Sequence, residues 1–189
     1  MARSDRRVQY TKRVLKEAVL ELLKQKTIDE VTIKEICELA DVNRGTFYLH
    51  YTQPLDILKE IENRFIEENM AAFDAYWENE RDPDRMATIF RCILENKELC
   101  RILMGENGDP QFMRSLLSLG REDIVDEWQK EFPHYEREKL DFLFDFVFTG
   151  STRLILNWID DDRGLSVEAF TQRLERLGRY SLVAVSEFR

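Results

Sequence analysis

Histidine, cysteine, proline and glycine are all scarce in this chain, and each shortage closes off a class of function. Only His50 and His134 are present among 189 residues, far apart, so an imidazole metal site or a His-dependent catalytic set has little to draw on. Cys37, Cys92 and Cys100 form neither a CxxC pair nor an even disulfide framework. Cys37 reads as core; Cys92 and Cys100 read as small buried hydrophobes, with thiol sensing as the alternative. Seven glycines and four prolines suit a chain of packed helices, and no strand-like alternation or internal repeat occurs. No HExxH, GxSxG or glycine-rich phosphate loop is present, so an enzyme is the least expected class, with no cofactor and no metal. Asp160-Asp161-Asp162 is more simply a solvated run at a helix end than a cation site, because consecutive residues point different ways. No apolar run could span a bilayer and none reads as a signal peptide, so no membrane partner and a cytoplasmic location are expected.

What is present is charge, unevenly placed. The net charge of −9 argues against indiscriminate nucleic-acid binding. Yet residues 1–26 carry eight Lys/Arg against three Asp/Glu, and residues 1–51 ten against eight. A mildly positive head on an acidic body suits a protein that meets phosphates at one end only.

That head contains the most informative stretch, Val31 to Tyr51. Thr32 followed by Glu35 is a capping box, and Ile33, Ile36, Cys37 and Ala40 make one apolar face of a short helix. Asp41-Val42-Asn43 breaks the pattern, and Asn43 can cap a second helix carrying Arg44 to Tyr51. Two short helices joined by a tight turn are the layout of a helix-turn-helix. On the second helix Phe47 and Tyr51 share an inward face, while Gly45 and Leu49 point away from it. Arg44 can donate twice to guanine and Leu49 can touch a thymine methyl. Tyr48, Thr46 and His50 suit phosphate oxygens, and Gly45 lets the backbone come close.

With these residues in hand, the run from about Val8 to Leu58 resembles the DNA-binding domain of the tetracycline-repressor (TetR) family of bacterial regulators. The carriers are Thr32-Ile33-Lys34-Glu35-Ile36 and Ala40 through Tyr51. The resemblance implies that Lys34, Arg44, Gly45, Tyr48 and Leu49 face bases or nearby phosphates, and that Thr32, Thr46 and His50 hold the DNA backbone. The family usually has a lysine where Pro54 stands; Pro54 is a good first helical residue but brings no charge and no N–H donor.

Around this motif the expected fold is all-α, about nine helices in all. Residues 1–56 are expected to form the helix-turn-helix domain, and 57–189 a helical regulatory and dimerisation domain. A first helix spans 5–26, with Arg3, Arg6 and Arg7 ahead of it as a loose basic arm, either solvated or touching phosphate. A long helix without Pro or Gly breaks runs from Pro54 to about Glu80, so mechanical coupling of head to body is expected. Asp82-Pro83 starts another helix, and Asn107-Gly108-Asp109-Pro110 is a loop. Phe65, Phe73, Tyr76, Trp77, Phe90, Phe112 and Trp128 are either plain core or the lining of a pocket for a small apolar effector, which the resemblance also implies. Leu140 to Ile159 is apolar on nearly every side and needs outside cover. A heptad seam follows from Val167. Phe146, Leu154, Trp158, Phe170, Leu174 and Leu177 are therefore the expected homodimer interface. The function expected is a repressor that binds a palindromic double-stranded operator as a dimer and is released by such an effector; control by a protein partner is the alternative.

Overall fold

The computed structural model describes residues 2–78, 84–161 and 164–185. Nine α-helices lie among them: α1 (Ala2–Leu23), α2 (Ile33–Leu39), α3 (Arg44–Tyr48), α4 (Pro54–Glu78), α5 (Arg85–Glu95), α6 (Lys97–Leu103), α7 (Pro110–Glu131), α8 (Arg137–Asp160) and α9 (Val167–Val185), with a 3-10 turn at Ile28–Glu30. No strand occurs among the described residues, and none of these helices is long and apolar enough to cross a membrane. The expected helix start at Asp82-Pro83 lies outside the described residues.

Contacts divide the chain into two units, one of Met1–Ala71 with Ile102–Pro110, the other of Ala72–Arg101 with Gln111–Arg189. The expected division at residue 56 differs from this one because α4 continues unbroken and buries Ile57, Leu58, Ile61 and Phe65.

In the first unit, Leu15, Ala18, Val19 and Leu23 of α1 are buried, as are Ile36 of α2 and Phe47 of α3. Full burial of such a side chain stabilises by about 1.5–3 kcal/mol. The expected loose arm is instead helical, since nothing between Ala2 and Leu23 breaks a helix. Helix α1 stops three residues early, closed by turn bonds such as Lys24 N–H to Glu21 O and Gln25 N–H to Leu22 O.

In the second unit, Ile124 and Val125 of α7, Leu140, Leu143 and Phe144 of α8, and Leu182 of α9 form one core, with Trp128 packed on it. A second core stacks Trp158 on Phe170 at 4.4 Å, with Phe90 edge-on to Phe170 at 5.2 Å. Arg121 reaches from α7 to Asp141 and Asp145 of α8 and lies over the Phe144 ring. Helix α8 is apolar on two faces, and only one is covered by this chain. Leu140, Leu143, Phe144, Trp158 and Ile159 are buried, whereas Phe142, Phe146 and Leu154 are exposed. Trp158 and Phe170, expected at a dimer seam, therefore sit inside the chain's own core. Leu174 is half-buried and Leu177 exposed. Phe90 and Trp128, expected around an effector, pack on other aromatics: Phe90 on Trp158 and Phe170, Trp128 on Phe144 at 6.4 Å. Phe112 is buried. Phe65 belongs to the first unit, and the side chains of Phe73, Tyr76 and Trp77 lie outside the described residues.

Candidate nucleic-acid interface

The first reading helix, α2, begins where the sequence places it. Glu35 N–H donates to Thr32 Oγ1 at 3.3 Å, and Thr32 N–H and hydroxyl donate back to Glu35 Oε2 at 3.0 and 2.7 Å. Lys26, three residues past the end of α1, also pairs with Glu35. Hydrogen bonds from Lys26 and Thr32 hold the Glu35 carboxyl down at about 2. The box thus orients α2 against α1 as well as capping it.

The turn out of α2 uses one left-handed residue, Asp41, at φ 53°. It lets Val42 N–H reach back to Cys37 O at 3.0 Å, a Schellman closure usually built on glycine. Asn43 then caps α3, its Oδ1 accepting from Thr46 N–H at 2.8 Å and from the Thr46 hydroxyl at 3.1 Å. A Cβ on Gly45 would lie 3.2 Å from that same Oδ1, so glycine here keeps the cap uncrowded as well as leaving the outer face low.

Helix α3 is shorter than its expected span, ending at Tyr48 with Leu49 as its cap. Its inner side is Phe47, 0% exposed, with Tyr51 at 5% just beyond; its outer side carries Tyr48 at 59% and Leu49 at 79%. Arg44 and Gly45 are exposed, Thr46 and His50 half-buried. Arg44 forms no ion pair among the described residues, so its guanidinium is available to an outside acceptor. Lys34, by contrast, leans toward Glu38 at 3.8 Å, an exposed pair worth little. Lys34 and Arg44 face one open notch, lined also by Cys37, Glu38, Asp41, Val42 and Asn43. All eight expected DNA-facing residues therefore belong to the first unit, on or beside α2 and α3.

Two supports of this surface were not read from the sequence. Glu60 of α4 accepts from Lys12 and Lys16 of α1 at 3.0 Å each and from the Tyr51 hydroxyl at 2.9 Å. Burial opposes its charge, but Lys16, Lys12 and Tyr51 hold the Glu60 carboxyl at about 2. Burial and Glu60 together push the Tyr51 hydroxyl well above its ordinary range, keeping it a donor. One carboxylate thus ties α1, the end of the reading segment and α4 together. The second support is Asp56, which accepts from Thr52 N–H at 2.8 Å and Gln53 N–H at 3.1 Å. Hydrogen bonds from Thr52 and Gln53 hold its carboxyl at about 2. Gln53 followed by Pro54 at the first helical position and Asp56 two residues later was the legible signal. The amides ahead of α4 are therefore committed to an internal carboxylate.

Comparison with known proteins agrees with this geometry. The model for bacterial regulatory proteins of the tetR family matches residues 15–61. A model for a transcriptional regulator C-terminal region matches residues 83–179, just over half the chain. The uncharacterized HTH-type transcriptional regulator YxbF of Bacillus subtilis (strain 168) is 24% identical over 169 residues, covering 86% of this chain and 43% of its own length. The chain thus spans less than half of that curated relative. Among solved structures, a TetR transcriptional regulator from Streptococcus agalactiae 2603V aligns with a TM-score of 0.62 at 24% identity, over 96% of this chain and 97% of its own. The fatty acid degradation regulator FadR from Bacillus halodurans aligns at 0.58 and 15% identity, over 91% and 94%. These likenesses show a shared fold. With both halves matched and a reading helix presented as described, the chain belongs to the TetR family of transcriptional regulators and is a DNA-binding regulator.

Proposed function

We propose that this chain is a transcriptional repressor that binds a near-palindromic operator as a homodimer. The observation that carries the reading is the outer side of α3: Arg44 without an ion pair among the described residues, next to Gly45, with Tyr48 and Leu49 exposed. A leucine exposed at 79% gains from contact with a thymine methyl, and Arg44 gains two hydrogen bonds from guanine O6 and N7. The outer faces of α8 and α9 support a second copy as the partner. Phe142, Phe146 and Leu154 on α8 and Leu177, Tyr180 and Val183 on α9 are exposed. A Cβ on Gly150 or Gly178 would meet nothing within 4 Å. Glycine inside a helix costs about 0.5–1 kcal/mol against alanine, and close approach of a partner helix is a reason to keep it there.

Release by a small apolar effector fits the family membership. A second reading, control by a protein partner, is favoured by one observation: Phe90, Trp128, Trp158 and Phe170 fill the body by packing on aromatic rings.

Selection of duplexes from a random pool tests the main reading. Wild type should enrich a near-palindrome, with half-sites about one helical turn or a multiple apart. Arg44→Ala should weaken binding by about 1–3 kcal/mol and relax one base position in each half-site; an unchanged preferred sequence would remove Arg44 from base reading. Phe146→Glu with Leu177→Glu should give folded monomers in sedimentation and abolish the preference for paired half-sites. A wild-type monomer at micromolar concentration counts against the dimer.

A further inference from the structure

The Gly105–Pro110 loop lies far in sequence from the helix-turn-helix, yet the structure makes it part of the first unit. Asn107 is the centre of that docking. Its Nδ2 donates to the carbonyl of Leu23, the last residue of α1, at 3.0 Å. Its own carbonyl accepts from Ile28 N–H, at the start of the 3-10 turn, at 3.3 Å. One residue thus bridges the end of α1 and the start of the 3-10 turn that leads to α2. Thr32, the cap of α2, follows that turn after Val31 alone, with Lys34 two residues on.

The loop is also held from the other side. Lys59 of α4 pairs with Asp109 at 2.6 Å and with Glu62 at 3.0 Å. Both carboxylates are more than nine-tenths buried, and Glu62 Oε1 has no hydrogen-bond partner among the described residues. Two buried carboxylates around one ammonium are costly to assemble for packing alone, and an orphaned oxygen adds to the cost. The loop itself is tightly built. A Cβ on Gly108 would lie 2.6 Å from Leu103 O and 2.8 Å from Ile102 O, so only glycine lets the backbone fold back onto the end of α6. Ile102, Leu103 and Asp109 are buried.

We propose that this loop is a working part of the operator reader: Asn107 is a positioning residue that sets the start of α2, and Asp109, held by Lys59, is the latch that keeps Asn107 in place. Operator affinity is thereby set in part by a segment that lies between α6 and α7, outside the helix-turn-helix sequence. The inference rests on the operator-binding reading above and adds to it which remote residues tune it. Because Asn107 touches no base-reading side chain, its loss weakens binding without changing the preferred sequence.

The test uses the full chain and the duplex that wild type selects. Asn107→Ala, Asn107→Asp (which keeps the size and removes the donor) and Asp109→Asn should each lower affinity about five- to tenfold. The selected sequence should stay the same, and amide exchange should rise across residues 24–35. Asn96→Ala is the matched control, since it removes a similar bond from Asn96 Nδ2 to Cys92 O in the other unit; it should change neither readout. Wild-type affinity in both Asn107 variants overturns the proposal, and so does an equal loss in Asn96→Ala. If wild type selects no duplex, the operator reading fails on its own account. The positioning role is then decided by exchange alone, and unchanged exchange at residues 24–35 in the Asn107 variants overturns it.

Discussion

The two units of this chain are held together by different chemistry. In the first, short helices are fixed by polar ties to named partners: Glu35 to Lys26 and Thr32, Asn43 to Thr46, Asp56 to Thr52 and Gln53, Glu60 to Lys12, Lys16 and Tyr51. In the second, long helices are fixed by rings and aliphatic chains, with Arg121 and Arg137 clamping α7 to α8 at the surface. Helices of five and seven residues cannot stand on their own propensity. Caps and ion pairs must set their angles, and a surface that reads base edges needs its angles fixed. A body of long helices gains more from burial and depends less on such ties, and Phe142, Phe146 and Leu154 of α8 stay exposed.

The sharpest way to break this comparison is to open one cavity in each unit. Phe47 and Phe144 are both 0% exposed, so Phe47→Ala and Phe144→Ala should each cost about 3–5 kcal/mol. The consequences should differ. Phe47→Ala removes the pin beneath α3 and should abolish operator binding while the body still melts cooperatively. Phe144→Ala removes the ring stacked on Phe148 at 4.2 Å and beneath Arg121, and should lower the melting temperature of the body first. Calorimetry with operator titration separates the two; identical losses in both would mean that the units do not differ in the way described.

The polar ties of the first unit predict an acid response. The Glu60 carboxyl sits at about 2 against an ordinary 4.5. A depressed carboxylate contributes stability that is present above the unfolded value and lost as pH falls toward the folded one. Glu35 and Asp56 are depressed in the same direction. The stability of the first unit should therefore fall between about pH 4.5 and 2. Glu60→Gln should flatten that slope and cost roughly 1 kcal/mol or less at neutral pH, because the group is more than a third exposed and solvent screens it. Acid titration of the unfolding midpoint checks this; an unaltered slope in the variant would show that Glu60 does not hold the three elements together.

How much of this could be read beforehand follows from range. The Thr32–Glu35 box, the Asn43 cap and the inward pair Phe47 and Tyr51 span five residues or fewer, and sequence periodicity reports such local geometry directly. Glu60 meets Lys12 across 48 positions and Asn107 meets Leu23 across 84, distances at which no local pattern survives. The apolar seams of α8 and α9 were legible as seams. Which side the chain covers itself was not, because periodicity marks an apolar face without saying what lies against it. Trp158 and Phe170 went inward as a stacked pair once Phe90 of α5 was there to close the stack, while Phe146 and Leu177 stayed out. The pocket was least legible: an aromatic in a helical stripe reads the same whether it lines a cavity or fills it.

The smallest expected effect lies at the tightest point of the reader. Asp41 holds φ 53°, a conformation that Asp tolerates better than most residues but only glycine adopts freely. The amides of Ala40 and Val42 close the end of α2, with Ala40 N–H on Ile36 O at 2.9 Å and Val42 N–H on Cys37 O at 3.0 Å, and the turn cannot relax without swinging α3 away from α2. Asp41→Gly should therefore stabilise the first unit by about 0.5–1 kcal/mol, the relief of left-handed strain less the greater freedom of glycine in the unfolded chain. Asp41 also lines the notch shared by Lys34 and Arg44, where a carboxylate repels an approaching phosphate. Its removal should raise affinity for non-specific duplex and for the selected operator by the same factor, because the repulsion is the same on every sequence. Thermal unfolding and paired titrations at fixed salt measure both. A variant that is less stable than wild type would mean that the Asp41 side chain contributes more to the turn than its strain costs. A variant that gains on neither duplex would place its charge away from the phosphates.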